Sequence, residues 1–279
     1  MEIIDPHLHL FDLEQGNYDW LKPENPPAWP DKAQIRKNYS ESDLTLPDKM
    51  TLAGFVHIEA GFDNEQPWRE LKWLAEHCTL PYRTVAYADL TSEGFSQQLQ
   101  HLLEYESLVG IRYILDEQAS ALFDNQTFVA NLQLLQQQGL IFESQFSLED
   151  QNAVTKFTGV LEQTPDLKVV INHAGLPSSL SQLWMDSITA LAHHPHCYVK
   201  CSGWEMQERE WTAESVKPYI NFITRQFGLT RVMLASNFPV SELSCSYPDL
   251  WQRYCKEMKF KGFEKELLLH DTAQQLYGL

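Results

Sequence analysis

Two histidines, separated by a single leucine, lie near the start of the chain in the run Asp5-Pro6-His7-Leu8-His9. The run ends a short apolar stretch typical of a buried strand, and side chains two residues apart in a strand point to the same side. We therefore expect the two imidazoles to project together. Neighbouring imidazoles suit a divalent metal ion, or a pair that polarises a substrate and transfers protons. Two partly buried histidines bonded to the backbone are the alternative.

Two later strand-like stretches also end in polar side chains. His173 ends the stretch Val169-Val170-Ile171-Asn172-His173, and Asn237 follows Ser236 after the last stretch. In a parallel barrel the carboxyl ends of all strands meet at one face, so these side chains would line one cup. The residues predicted to be catalytic are His7, His9, His173 and Asn237.

The three histidines of this cup are also the candidate ligands of a metal ion. His7, His9 and His173 would supply three neutral nitrogens and leave a fourth position open for water, as catalytic zinc sites do. Zinc is the ion we expect in that case. The alternative is an enzyme without a metal cofactor, in which a histidine or Glu143 must take the proton from water.

Four further residues at or just after strand ends are candidates for substrate binding: Arg112, Glu59, Glu143 and Trp204. A carboxylate such as Glu59 or Glu143 would have a raised pKa in an apolar cup and could replace a missing base. Trp204, together with Glu205, follows a glycine turn and is placed to form a wall of the pocket. For Arg112 and both carboxylates, an ion pair with a structural partner is the competing interpretation.

These residues need a scaffold that brings strand ends together, and the chain has the pattern of one. Eight short β-branched stretches, apolar on both faces as buried parallel strands are, alternate with stretches of helical apolar spacing. This alternation predicts a single (β/α)8 barrel domain over residues 1–279, with a doubly wound sheet as the competitor. The predicted strands are residues 3–9, 53–59, 84–88, 109–113, 140–143, 168–173, 198–202 and 231–236.

One long segment interrupts the alternation. Residues 13–50 contain five prolines and no apolar period. A connection of this length is usually functional or disordered, and Tyr18, Trp20, Trp29 and Tyr39 give it aromatic side chains to pack. Because the segment follows the first strand, it would lie at the carboxyl-end face of the barrel. We predict that it is a lid or a pocket wall.

Charge and composition exclude several classes of protein. The 279 residues include 38 acidic and 21 basic side chains, a formal net charge of −17, which argues against nucleic acid and anionic membrane surfaces as partners. No apolar run approaches the roughly 20 residues of a membrane span, and the first residues lack the basic region of a signal peptide. The five cysteines include no Cys-x-x-Cys pair. We expect a cytoplasmic protein that acts on a small molecule, with a homo-oligomer left open.

Four motifs, taken together, resemble the amidohydrolase superfamily, and more narrowly its "amidohydrolase 2" branch of TIM-barrel metal-dependent hydrolases. They are residues 5–12 (DPHLHLFD), 172–177 (NHAGLP), 200–203 (KCSG) and 236–240 (SNFPV), and the last helical stretch, 267–277, resembles the closing helix of that family. The branch includes sugar lactonases and 2-pyrone-4,6-dicarboxylate lactonase. The resemblance implies a barrel with hydrolase activity, and places Arg112 near a substrate carboxylate or lactone oxygen.

The end of strand eight departs from the family pattern. The lactonases commonly end this strand in Ser-Asp-Trp-Pro, with the Asp as general base, whereas Asn237 stands at that position here. An amide cannot accept a proton at neutral pH, so we expect Asn237 to orient water or a substrate hydroxyl. The branch contains metal-dependent and metal-independent members, so the resemblance leaves the cofactor open.

The sequence thus predicts a hydrolase that opens a lactone, or a related carbonyl ester, of a small sugar-acid or carboxylated substrate. Within the same fold, the resemblance leaves a metal-dependent, non-oxidative decarboxylase as one alternative. An inactive or binding-only relative is another, because Asn237 replaces the usual Asp. The TatD-like metal nucleases share the His-x-His start, but the acidic charge makes them a minor alternative.

Overall fold

Eight parallel strands follow one another around the molecule in sequence order. The computed structural model describes residues 1–279. Each strand pairs with the next in a parallel ladder, which confirms the predicted (β/α)8 barrel and excludes the doubly wound sheet. The strands are β1 (Glu2–Leu8), β2 (Thr51–Ile58), β3 (Tyr82–Tyr87), β4 (Leu108–Ile114), β5 (Ile141–Gln145), β6 (Val169–Ile171), β7 (Cys197–Cys201) and β8 (Val232–Leu234).

Strands β6 and β8 are shorter than the sequence predicts. Strand β6 ends at Ile171 because the chain turns through left-handed backbone at His173, with φ of 52°, and at Ala174, with φ of 53°. Strand β8 ends at Leu234, and Asn237 is left-handed as well, with φ of 57°. Left-handed backbone cannot continue a strand. The polar residues predicted at these two strand ends therefore lie in turns directly beyond the ladder.

The barrel closes at its carboxyl end, where the first and last strands meet. No ladder joins β1 to β8, but Leu8 and Phe238 form a parallel bridge. The backbone amide of His9 donates to the Phe238 carbonyl at 2.7 Å, and that of Asn237 donates to the His7 carbonyl at 2.9 Å. The seam of the barrel is thus made by the predicted catalytic residues and their neighbours.

Helices cover the outside of the barrel and close its bottom. They are α1 (Trp68–His77), α2 (Phe95–Leu102), α3 (Ala119–Phe123), α4 (Gln126–Gln137), α5 (Gln151–Gln163), α6 (Gln182–Ala192), α7 (Ala213–Phe227), α8 (Tyr247–Gln252), α9 (Gly262–Glu266) and α10 (Thr272–Tyr277). Side chains cap the amino ends of several, for example Asn125 on α4 and Asp150 on α5. None of these helices has both the length and the apolar character that a membrane span needs.

The hydrophobic core has two parts. The larger part packs the helices against the outer faces of the strands. The smaller part lies inside the barrel, where Ile4, Ile58 and Val170 meet Leu276 and Tyr277 of α10. The last helix therefore fills the amino-terminal end of the barrel, and polar side chains are confined to the middle and to the carboxyl end.

Residues 13–50 are anchored at the carboxyl-end face by contacts with three different loops. The Trp20 indole donates to the Ala60 carbonyl at 2.8 Å, beyond β2. The Tyr39 hydroxyl donates to Glu242 at 2.7 Å, beyond β8. Asp31 forms an ion pair with Arg209 at 2.7 Å, beyond β7. The segment therefore connects the loops after β2, β7 and β8, on the side of the barrel where His7 and Asn237 lie.

A buried ammonium group holds one turn of this segment together. Lys32 is only 4% exposed, and its Nζ donates to the carbonyl oxygens of Trp20, Lys22 and Asn25 at 2.9, 3.0 and 2.6 Å. Three carbonyls around one ammonium satisfy all of its donors, since Lys has three N–H groups and no acceptor. Lys32 thereby fixes the path of residues 20–25 through its charge.

Replacement of Lys32 by Met should loosen this turn, because three part-buried carbonyls lose their donor, each at a cost of up to about 1 kcal/mol. We expect amide hydrogen exchange in residues 17–35 to be at least about tenfold faster than in wild type, with the barrel strands unchanged. Lys37→Met is the matched control, because the Lys37 side chain is 58% exposed and its ammonium pairs with Glu242 at 3.3 Å. Equal exchange in the two variants would contradict the role given to Lys32.

Candidate active site

The structure brings the three predicted histidines together in the mouth of the barrel. The ring centroid of His7 lies 5.2 Å from that of His9 and 4.7 Å from that of His173. All three side chains are buried, with exposures of 0%, 5% and 3%. His7 and His9 are set by β1, and His173 by the left-handed turn after β6. The cup expected from strand-end convergence is present.

Hydrogen bonds orient two of these rings and leave the third free. Nδ1 of His9 donates to the Ile58 carbonyl at 2.8 Å, which leaves Nε2 of His9 as the unprotonated nitrogen. Nδ1 of His173 lies 3.0 Å from Oγ of Ser202. Both ring nitrogens of His7 are buried without any partner. Because buried polar atoms are almost always hydrogen-bonded, the His7 ring is available to a ligand from both sides.

The three histidines are neutral. Burial is the main cause that holds the pKa of His7, His9 and His173 well below the usual value, because a charged ring loses its hydration there. The positive charges of Lys200 and Arg112 act in the same direction. A neutral imidazole offers one N–H donor and one acceptor nitrogen. The cup can therefore both donate a hydrogen bond to a carbonyl oxygen and accept one from a water or a hydroxyl group at neutral pH.

One feature of these rings favours a bound metal ion, and another shows that the rings are not yet arranged to hold one. Neutral buried imidazoles with unshared nitrogens are the donors that a divalent ion needs, and His7 has two such nitrogens without a partner. No three His, Cys, Asp or Glu side chains are grouped so that they could hold an ion as they stand. A bound ion therefore requires the histidine rings to turn toward a common point.

The amide that ends strand eight contacts a carboxylate from the loop after β7. Nδ2 of Asn237 donates to Oε1 of Glu205 at 2.6 Å, and both side chains are buried. Oε2 of Glu205 has no partner. Burial raises the pKa of Glu205 from 4.5 to about 7, against the lowering effect of the Asn237 hydrogen bond. From the sequence, Glu205 is predicted only as part of a pocket wall, although its position after a strand end is the signal for a chemical role.

A glycine is required in the turn that carries Glu205. Gly203 has φ of 73°, in the left-handed region, and a Cβ there would lie 2.7 Å from Nδ1 of His173. The backbone at Gly203 thus passes directly against the His173 ring. The turn places Glu205 beside Asn237 and fixes one wall of the cup.

Two of the predicted substrate-binding residues form an ion pair with each other at the edge of the cup. Nε of Arg112 donates to Oε1 of Glu59 at 2.8 Å, and Nη2 donates to the Glu59 carbonyl at 2.7 Å. Arg112 and Glu59 are each 6% exposed. The pair leaves Nη1 of Arg112 without a protein partner. Binding of substrate by Arg112 and Glu59 remains a prediction. Within this ion pair, Nη1 of Arg112 is the nitrogen that is free to contact a substrate.

Glu143 and Trp204 have partners elsewhere. Glu143 lies inside the barrel, where Lys200 donates to both of its oxygens at 2.6 and 2.7 Å and the Tyr277 hydroxyl donates at 2.7 Å. Burial lowers the pKa of Lys200 to about 8. The Trp204 indole donates to the Tyr254 hydroxyl at 3.0 Å. The structure does not bring either side chain into contact with the histidines, and their role in substrate binding remains a prediction.

Two further polar side chains near the cup were not identified from the sequence. Asn172 directly precedes His173 and is completely buried, and neither polar atom of its amide has a partner. Oε1 of Gln145, the last residue of β5, is also buried without a partner. Both residues occupy strand ends, which is the signal that could have identified them. They add unpaired donors and acceptors to the same end of the barrel.

Residues 4–279 match the Amidohydrolase family. The chain is a member of that family, and its sequence-based assignment to the hydrolases is confirmed. The chain is 32% identical over 294 residues to the uncharacterized protein y4mH of Sinorhizobium fredii, with 99% of this chain and 98% of that protein covered.

Two further comparisons connect the chain to characterised or solved proteins. It is 24% identical to an L-fucono-1,5-lactonase of Burkholderia ambifaria, with 91% of this chain and 87% of that protein covered. The crystal structure of a Burkholderia multivorans amidohydrolase with bound zinc superimposes with a TM-score of 0.80 at 18% identity, with 100% of both chains covered. At that identity the structural likeness supports the fold.

Replacement of Glu205 by Gln should change how stability depends on pH. Because the pKa of Glu205 is raised from 4.5 to about 7, the folded chain keeps a proton that the unfolded chain has already released between these values. The corresponding stabilisation is complete below about pH 4.5 and is lost as the pH rises through about 7, about 3 kcal/mol in all. Glu205→Gln cannot titrate and lacks this loss.

Urea unfolding between about pH 4.5 and 8 measures the effect. The free energy of unfolding of Glu205→Gln, relative to wild type, should increase with pH over this range. The exposed Glu210 supplies the control, since Glu210→Gln should follow the wild-type curve. Parallel curves for Glu205→Gln and wild type would show that Glu205 is ionised normally.

Proposed function

We propose that this protein hydrolyses a lactone, or a related carbonyl ester, of a small sugar-acid or carboxylated molecule. The observation that carries the proposal is the buried, neutral His7 ring with two unpartnered nitrogens, between His9 and His173. Family membership and a relative named as a sugar lactonase support the reaction class. A polyhydroxylated substrate suits the unpaired amide of Asn172 and the unpaired Oε1 of Gln145, which can bond hydroxyl groups.

Each residue of the cup has a part in this reaction. The N–H of the neutral His7 ring donates to the lactone carbonyl oxygen and stabilises the negative charge that develops there. Asn237 binds the attacking water through its amide oxygen. The ring C–O bond then breaks and the leaving alkoxide takes a proton, which the free nitrogen edge of His173 can relay when that nitrogen holds no ion. The free Nη1 of Arg112 binds a carboxylate or the ring oxygen of the substrate.

Residues 13–50 act as the cover of this site in the proposed mechanism. The anchors at Ala60, Arg209 and Glu242 hold the segment across the carboxyl-end face. Trp20 and Trp29 supply aromatic surface there, and the guanidinium of Arg209 lies 5.1 Å from the Trp29 ring centroid. Exclusion of water by such a cover strengthens the hydrogen bonds of the cup to the developing charge. Because the histidines are at most 5% exposed, substrate entry requires the cover to move.

Zinc is the cofactor that we propose, held by His7, His9 and His173. Such an ion would polarise a carbonyl and lower the pKa of a bound water. The hydrogen bond from His9 to Ile58 leaves Nε2 of His9 as the coordinating nitrogen, the arrangement typical of metal-binding histidines. The zinc-containing amidohydrolase of Burkholderia multivorans supports the choice of ion.

A panel of sugar-acid lactones with a pH indicator tests the reaction. Wild type should release acid from at least one γ- or δ-lactone, and His7→Gln should lower kcat/KM by at least about 10², because the carbonyl loses its donor. His101→Gln serves as the control, since His101 lies on the surface of α2 with its side chain 49% exposed. Release of CO2 from a second panel, of carboxylated substrates, would show that the protein is a decarboxylase and not a lactonase. No activity on either panel would indicate a binding-only protein.

Calorimetric titration of the metal-free protein with zinc tests the cofactor separately from activity. We expect one ion per chain in wild type and in His101→Gln, and at least about tenfold weaker binding in His7→Gln and in His173→Gln. Chelation should lower lactonase activity in parallel with zinc removal. Absence of stoichiometric binding, together with unchanged activity in chelator, would contradict the metal proposal while leaving the hydrolysis in place.

A further inference from the structure

We propose that Glu205 is the proton acceptor for the attacking water and that Asn237 holds this water beside it. The assignment rests on the lactone hydrolysis proposed above. The side chain that follows Ser236 is an amide, and an amide cannot take a proton, so a water bound by Asn237 needs a base elsewhere. The structure supplies a carboxylate in contact with that amide, through the 2.6 Å hydrogen bond from Nδ2 of Asn237 to Oε1 of Glu205.

This hydrogen bond sets which way the Asn237 amide points. An ionised carboxylate is an acceptor only, so the NH2 group of Asn237 must face Glu205 and the amide oxygen must face away. Oδ1 of Asn237 then has no partner within the chain, and Oε2 of Glu205 is buried without one. A water that donates one O–H to each of these two oxygens keeps a lone pair for attack on a carbonyl carbon.

The backbone of Asn237 and the turn that precedes Glu205 each lie beside one of the histidines. The backbone amide of Asn237 donates to the His7 carbonyl at 2.9 Å. On the other side, the turn that carries Glu205 passes so close to His173 that a Cβ at Gly203 would lie 2.7 Å from its ring nitrogen. The pair is therefore part of the wall shared by two of the three histidines.

The proposed step balances in atoms and charge. The water oxygen forms a bond to the lactone carbonyl carbon while one of its protons passes to Oε2 of Glu205. When the tetrahedral intermediate collapses, the bond between the carbonyl carbon and the ring oxygen breaks. The leaving alkoxide takes a proton from solvent, and Glu205 returns its proton to solvent, so the net change is the addition of one water. The products are the hydroxy acid and the free enzyme.

The surroundings of Glu205 suit a base that works near neutral pH. Burial raises its pKa to about 7, while the Asn237 hydrogen bond and the charge of Arg209 lower it. Two titratable groups nearby, Cys245 and Tyr254, are neutral near pH 7, because burial, with a smaller contribution from Glu205, raises the Cys245 pKa to about 11 and that of Tyr254 well above its usual value. A base is most effective when its pKa lies close to the working pH.

The pair also gives a physical reason for the amide at position 237. An Asp there would place two carboxylates in direct contact, and two carboxylates at that distance share one proton, which raises the pKa of one of them strongly. A carboxylate at 205 and an amide at 237 avoid this repulsion. In this protein the carboxylate is therefore on the loop after β7, at Glu205, and not at the end of β8, where the family pattern has an Asp.

A double-mutant cycle with Glu205→Gln, Asn237→Asp and the combined variant tests this assignment. In wild type, kcat/KM should fall on the acid side with an apparent pKa near about 7. Glu205→Gln should lose this acid limb and about 10²–10⁴ of the rate. Asn237→Asp should move the acid limb to higher pH. The combined variant returns a carboxylate to strand eight and should recover at least about tenfold over Glu205→Gln, with an acid limb at lower pH than wild type.

Glu210→Gln is the control for charge, and thermal unfolding establishes that each variant is folded. Binding of a non-hydrolysable sugar lactam should be unchanged in Glu205→Gln, since a base is not needed for binding. An active wild type whose rate and acid limb persist in Glu205→Gln overturns the assignment alone. A Glu205→Gln variant that loses activity without recovery in the combined variant also overturns it. A wild type inactive on all lactones overturns the proposed function and this assignment together.

Discussion

The seam between β1 and β8 is the constraint on which the active site depends. The buried Asp5 carboxylate, in the middle of β1, accepts hydrogen bonds from the backbone amide and hydroxyl of Ser236 and from the hydroxyl of Tyr247. These bonds hold the end of strand eight against strand one, and the next residue along, Asn237, bonds to His7. No ladder joins strands one and eight, so their register is set by this buried carboxylate together with the Leu8–Phe238 bridge.

The scaffold was predictable because buried parallel strands have an apolar pattern of their own and strand ends converge. All eight strands occur where the alternation places them, and His7, His9 and His173 meet as expected. The predicted ends of β6 and β8 were wrong, because a left-handed turn such as that at His173 or Asn237 cannot be recognised from the pattern of apolar residues. Composition identifies strands, whereas single φ angles decide where they stop.

The partners of the charged residues could not be predicted. Arg112 pairs with Glu59, 53 residues away, and Lys200 with Glu143, 57 residues away. No sequence pattern distinguishes such a pair from a carboxylate left free for chemistry. Glu59 and Glu143, the carboxylates predicted to take part in the chemistry, are both paired. The carboxylate with an unpaired oxygen is Glu205, which the sequence predicts only as a wall residue beside Trp204. Pairing across the barrel interior is a three-dimensional property.

The position of α10 inside the barrel has a consequence for the order in which the protein is made. Tyr277 donates to Glu143 and its ring centroid lies 5.2 Å from the ammonium of Lys200, so the side of the barrel below the charged pair is closed by a helix that follows all eight strands in the chain. Until that helix has left the ribosome, the Glu143–Lys200 pair faces water and the amino-terminal end of the barrel stays open. All eight strands can be translated in turn, but the dry interior that holds this ion pair is completed only once α10 has been made as well.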